Sequence, residues 1–165
     1  MPASVDTAKT KLVAGFTEAE VQALTKNAEH KQVGADTVLL LMGETNGSLF
    51  LILSGEAKVE RLHIEESMEL AKLGPGDTFG EISLLDGSKA TASVTTTRPT
   101  ELLELTGEAI TQLVASHPLI AVKLYRNVAV DLKHRLVATN ELVDHYMDLN
   151  QVLLERPDVG SSMRS

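Results

Sequence analysis

Apolar positions along the chain change their period twice, and the changes divide it into three stretches. Thr17-Glu18-Ala19-Glu20 reads as a capping box, with Thr17 as N-cap and Glu20 three residues into the helix. Phe16 and Val21 take the flanking hydrophobic positions, and a packing helix is predicted from about Glu18 to Asn27. From about Lys31 to Leu105, short apolar runs closed by turn residues take over. Val38 to Met42 is one run. Leu49 to Leu53 is another, ended by Ser54-Gly55-Glu56. Ala57 to Ile64 and Met68 to Leu73 flank an acidic turn at Glu65-Glu66, and Gly74-Pro75-Gly76-Asp77 is a strong turn signal. Thr91 to Thr96 and Leu102 to Leu105 read as strands around Arg98-Pro99. Short strands with regular turns predict a mainly β domain, a sandwich or jelly roll.

Helical period returns at the C-terminal end. Thr106 caps a short helix reaching Ala115, and Pro118 fits the first turn of the next. No Gly or Pro interrupts that helix to about Glu155. Val128, Leu132, Arg135, Thr139, Leu142, Tyr146, Leu149 and Leu153 follow one another at alternating steps of four and three, a heptad seam. The opening half, Leu119 to Leu132, is expected to lie on its own β domain. The later half has no remaining domain to pack on, so it is predicted to pair with a second copy through Val128, Leu132, Thr139, Leu142, Tyr146, Leu149 and Leu153. The expected layout is a flexible N-terminus over 1–11, a β-barrel with flanking helices over 12–117, a long dimerisation helix over 118–156 and a disordered tail over 157–165.

Between the two regimes, Thr78 to Val94 obeys neither. An aromatic-glycine pair, Phe79-Gly80, is followed by Glu81, the short apolar turn Ile82-Ser83-Leu84-Leu85, the turn Asp86-Gly87-Ser88, and a strand of small residues. A helix of one or two turns starting near Glu81 would leave amide groups of its first turn without intrahelical acceptors, an arrangement that attracts anions. Gly80 permits close approach to the backbone, and Glu81 offers an acceptor to hydroxyl groups. The chemistry suits a compact ligand bearing a phosphate and a sugar hydroxyl.

This stretch resembles the phosphate-binding cassette of the cyclic-nucleotide-binding domain family, of the catabolite activator protein and cyclic-AMP-dependent kinase regulatory subunit type. Gly80, Glu81, Ile82, Ser83, Leu84, Leu85, Ala92, Ser93 and Val94 match its pattern, and the likeness extends over roughly Leu12 to Val143. The resemblance implies a double-stranded β-helix (jelly roll) with a short N-terminal helix and a long C-terminal dimerisation helix. It implies that Glu81 accepts the ribose hydroxyl, that Ile82 and Ser83 offer backbone N–H groups to the phosphate, and that Thr91 lies close by. Thr139 and Asn140 fall where the family's long helix brings hydroxyl residues to the base; read on their own they are polar punctuation in the seam. The family's cassette arginine is absent. Ala90 stands in its place, with Lys89 one residue earlier. Neighbouring side chains on a strand face opposite ways, so Lys89 is not expected simply to take over.

Composition narrows the function classes. There is no cysteine, which excludes disulfides and thiol-ligated metals. Only 3% of residues are aromatic, so the core is aliphatic. A net charge of -8 disfavours nucleic acid and anionic membrane, no apolar run reaches the roughly 18 residues of a spanning helix, and Met1 to Asp6 is no signal peptide. No helix-turn-helix pattern follows the long helix, unlike in DNA-binding members of the family, so no DNA partner is expected. The five histidines, His30, His63, His117, His134 and His145, include no close pair with metal spacing, and no Walker-type loop or Ser/His/Asp signature is present. The expectation is a cytoplasmic, non-enzymatic homodimer with no catalytic or metal residues and no firmly held cofactor, its ligand a cyclic nucleotide, cyclic AMP or cyclic GMP, held weakly, and its signal passed to a protein partner. The alternatives are a ligand-free dimeric adaptor with a degenerate pocket and, least favoured, a cupin-like metalloenzyme.

Overall fold

The computed structural model describes residue 6, residues 10–63 and residues 66–154, apart from the side chains of 63 and 152–154. The chain divides into two compact units, Met1–Val128 and Ala129–Ser165. The boundary falls inside the last helix rather than at its start. Ile64, Glu65, Glu155 and the expected tail at 157–165 lie outside the described residues, as does most of the expected N-terminal arm. Lys11, assigned to that arm, belongs to a 3-10 turn, Lys11–Val13.

In the first unit, helix α1 (Glu18–Lys26) begins at the expected capping box, Glu20 N donating to Thr17 Oγ1 and Thr17 N to Glu20 Oε2 at 2.7 Å. Eight strands follow: β1 (Glu29–Val33), β2 (Val38–Leu40), β3 (Ser48–Ser54), β4 (Ala57–His63), β5 (Glu66–Leu73), β6 (Thr78–Phe79), β7 (Ser93–Thr96) and β8 (Thr100–Thr106). They form two antiparallel four-stranded sheets, ordered β1-β8-β3-β6 and β2-β7-β4-β5. The fold is a mainly β jelly roll, as the sequence predicts. Its core is aliphatic with one aromatic pair. Phe50, Ile52, Phe79 and Leu102 of the first sheet meet Leu40, Ala57, Leu73 and Val94 of the second, with Ala90 among them. Phe50 and Phe79 stack at 4.8 Å between centroids.

Leu49, Leu51, Leu103 and Leu105 alternate with those core residues on β3 and β8 and are buried as well. The first sheet is therefore covered on both faces, which is why its strands read as continuous apolar runs. Helix α3 (Gly107–Ser116) packs against β8, its N-cap Thr106 accepting from Ala109 N at 3.1 Å. Helix α4 (Pro118–Leu154) starts at Pro118 as expected. Within the first unit its opening turns are docked by Asn127, which is buried and donates to Leu12 O at 2.8 Å and Ala14 O at 2.9 Å, and by the Lys123–Glu20 ion pair at 2.7 Å. The Asn127 contacts hold the segment before α1, and the ion pair holds the first turn of α1 itself.

The strand bounds differ from expectation where polarity misleads. β1, Glu-His-Lys-Gln-Val, is an edge strand with no buried residue, so no apolar run announces it. Leu41 and Met42 lie beyond β2 and are exposed, and Thr91 and Ala92 precede β7.

Candidate functional site

The stretch from Gly74 to Val94 is positioned by the turn that opens it. Asp77 Oδ2 accepts from Gly74 N at 2.9 Å, closing the turn on itself. Gly76 N donates to Ile52 O and Ile52 N to Asp77 O, tying the turn to β3. β6 then leaves in register with β3, Phe79 opposite Phe50, and the aromatic stack fixes where Gly80 comes.

Gly80 is the N-cap of α2 (Glu81–Asp86) at φ +87°, a conformation favouring glycine. A Cβ there would also lie 2.4 Å from Ser48 O and 2.8 Å from Asn46 Nδ2. The cassette thus rests against the Asn46–Ser48 turn. That turn is built by Asn46 Nδ2 donating to Ser48 O at 2.6 Å, and it is continued by Ser48 Oγ donating to Glu104 Oε1 and by an ion pair from Lys31 to Glu104. The Glu104 carboxylate holds the Lys31 ammonium above its usual range, chiefly through that hydrogen bond. These supporting residues escaped the sequence reading because they are scattered polar positions, Asn46 just before β3 and Ser48, Lys31 and Glu104 on strands.

α2 is the expected helix of one to two turns. It ends at Gly87, φ +71°, whose N–H returns to Ser83 O at 2.8 Å. Glu81 and Ser83 are buried and Ile82 is 42% exposed. Glu81, Ile82 and Ser83 occupy the first turn, whose backbone N–H groups have no intrahelical acceptors. After α2, Ser88 N donates to Asp86 Oδ1 at 2.9 Å, and Ser88, through its side chain first and then its backbone, holds the Asp86 carboxyl below its usual range.

The second arm of the cassette runs beside the chain after β2. Thr45 bridges Lys89, Ala90 N donates to Glu44 O at 2.8 Å and Gly43 N to Ala90 O at 2.8 Å. Ala90 is buried in the core, whereas Lys89 and Thr91 are exposed. Lys89 and Ala90 therefore point opposite ways, and the Lys89 ammonium is turned from the face that Ala90 shares with Leu40, Phe79 and Val94. Gly80, Glu81, Ile82, Ser83, Lys89, Ala90 and Thr91 all lie in the first unit. Thr139 and Asn140 lie in the second and are exposed, with Thr139 Oγ1 donating to Arg135 O of its own helix at 2.8 Å.

Of the seam, Val128 is already buried within the first unit and Arg135 pairs with Asp131 at 2.7 Å. Leu142, Tyr146 and Leu149 are exposed, while Leu153 lies among the residues whose side chains are not described. Among the described residues no group of three or more metal-binding side chains is assembled, and no helix is long and apolar enough to cross a membrane.

A family model described as the cyclic nucleotide-binding domain matches residues 30–117. Among curated proteins, glutaminase 2 of Bradyrhizobium diazoefficiens is 33% identical over 141 residues, 86% of this chain but 22% of that protein. The cyclic AMP receptor protein of Thermus thermophilus is 37% identical over 99 residues, 59% of this chain and 44% of that protein. The chain thus spans less than half the length of either relative. Among solved structures, the catabolite activator protein of Thermus thermophilus superposes with a TM-score of 0.74 at 30% identity, covering 84% of this chain and 63% of that one.

Proposed function

The chain belongs to the cyclic nucleotide-binding domain family, and on that premise we propose that it is a sensor whose cassette takes up a cyclic nucleotide, cyclic AMP or cyclic GMP. The observation that carries this reading is the cassette geometry: a left-handed Gly80 packed on the Asn46–Ser48 turn presents the first turn of α2 with the Glu81 carboxylate buried beside it. In this reading Glu81 accepts a ribose hydroxyl and the Ile82 and Ser83 amides meet the phosphate. Thr91 stands nearby. The ligand is bound without catalysis. Occupancy is signalled to a protein partner by a dimer paired through α4, in the cytoplasm, without sequence-specific DNA binding by this chain alone. The acidic balance of -8 supports the last point.

Ala90 sets the expected affinity. A hydrogen bond to a charged group contributes about 1.5–3 kcal/mol, about ten- to more than a hundredfold in affinity, and Ala90 donates none from its side chain. Cyclic AMP should bind in the micromolar range or weaker. Titration calorimetry with cyclic AMP and cyclic GMP tests this, with Ala90→Arg as the informative variant. An arginine there would face Leu40, Phe79 and Val94, so the ligand-free variant should melt lower than wild type while binding cyclic AMP at least about tenfold tighter. Nanomolar binding by wild type would refute the role given to Ala90. No binding by wild type or variant would favour the adaptor reading.

A further inference from the structure

β4 carries an arginine on the inner face of the jelly roll. Ala57 is fully buried and Val59 packs against the core, so alternation places Arg61 third on that face. The pairing with β5 agrees. Ala57 stands opposite Leu73 and Val59 opposite Ala71, and, after a register shift that leaves Leu70 extra, Arg61 stands opposite Met68. On the outer face Lys58 pairs with Glu60 at 2.9 Å. The inner face is uncovered at this level: Arg61 is exposed and Met68 is 53% exposed. Arg61 makes no ion pair or hydrogen bond among the described residues. On its other side β4 pairs with β7, Val59 opposite Val94 and Glu60 opposite Ser93. Arg61 is the next residue of β4 after that paired segment, at the end of β7 where the chain leads back through Ala92 and Thr91 to Ala90.

We propose that Arg61 supplies, from β4, the guanidinium toward the ligand's phosphate that the cassette cannot supply at Ala90. This rests on the cyclic-nucleotide reading above. The pocket then has its backbone amides and Glu81 on one side and its cation on the opposite sheet. Arg61 keeps the planar fork suited to a phosphate, which the exposed Lys89 would lack even if it turned inward.

The test is a calorimetric titration with cyclic AMP of wild type, Arg61→Gln, Arg61→Lys, Ala90→Arg and the double variant Arg61→Gln/Ala90→Arg. Arg61→Gln is expected to weaken binding by about tenfold or more, and Arg61→Lys to keep part of the affinity because it keeps the charge. In the Ala90→Arg background the Arg61→Gln loss should shrink, since a second cation already meets the phosphate. Wild-type affinity in Arg61→Gln overturns the proposal and leaves the cyclic-nucleotide reading standing. An equal loss in both backgrounds, or an equal loss for Lys and Gln, also overturns it and makes Arg61 a residue that shapes the pocket. Failure of wild type to bind any cyclic nucleotide overturns the reading on which the proposal rests, and the proposal with it.

Discussion

Gly80 and Gly87 bracket α2 with the same left-handed backbone but different surroundings. At Gly87 a Cβ would meet nothing within 4 Å; at Gly80 it would overlap Ser48 O and Asn46 Nδ2. Gly87→Ala should therefore cost only the left-handed penalty, about 1–2 kcal/mol. Gly80→Ala should cost about 2–5 kcal/mol, adding overpacking against backbone. Thermal unfolding of the two variants side by side measures the difference, and equal melting temperatures would show that the cassette does not rest on that turn. Gly80 and Glu81 were legible in the sequence because the dipeptide breaks a strand pattern. What Gly80 packs against was not, since Asn46 and Ser48 lie more than thirty residues away and carry no pattern of their own. Arg61 was hidden for another reason. In sequence it is a charged residue in a mixed strand, and only the register with Val94 and Ala71 turns it inward.

The helices were read more accurately than the strands. Capping residues are local signals, and Thr17, Thr106 and Pro118 each mark a helix start that the structure keeps. β1 was missed because an edge strand needs no apolar face, and Glu29 to Gln32 are polar throughout. The docking of α4 through Lys123 and Glu20 makes a prediction about pH. Glu20 is held below the usual carboxylate range, first by the hydrogen bond from Lys123 and then by the Thr17 amide. A carboxylate whose folded value lies below its unfolded one contributes stability above the unfolded value, and that contribution is lost as pH falls through the folded one. The melting temperature of Glu20→Gln should therefore fall below that of wild type at neutral pH, and the gap should close as pH drops through and below the carboxylate range. A gap that stays constant with acidification would mean that the pair does not contribute through its charge.

At the scale of the whole molecule, the sandwich of two sheets followed by a long helix was legible in short apolar runs closed by turn residues and in the heptad spacing after them. The division after Val128 did not, because the heptad runs unbroken across it. Val128 belongs to the core of its own unit, and Leu142, Tyr146 and Leu149 of the seam are exposed; the proposed dimer would pair through them. Light scattering at micromolar concentration should give twice the chain mass, and Leu142→Asp should give one chain mass with an unchanged melting transition for the β domain. A single-chain mass for wild type would refute pairing through α4. The charge of -8 leads to a further expectation, the absence of a salt-sensitive, sequence-dependent gel shift by this chain. The most direct measurement is the heat of binding of cyclic AMP and cyclic GMP to wild type and to Glu81→Ala. Saturable micromolar binding of at least one nucleotide by wild type, lost in Glu81→Ala, is the predicted result. No heat of binding from either nucleotide at millimolar concentration, or binding untouched by Glu81→Ala, would contradict a ligand seated on the cassette.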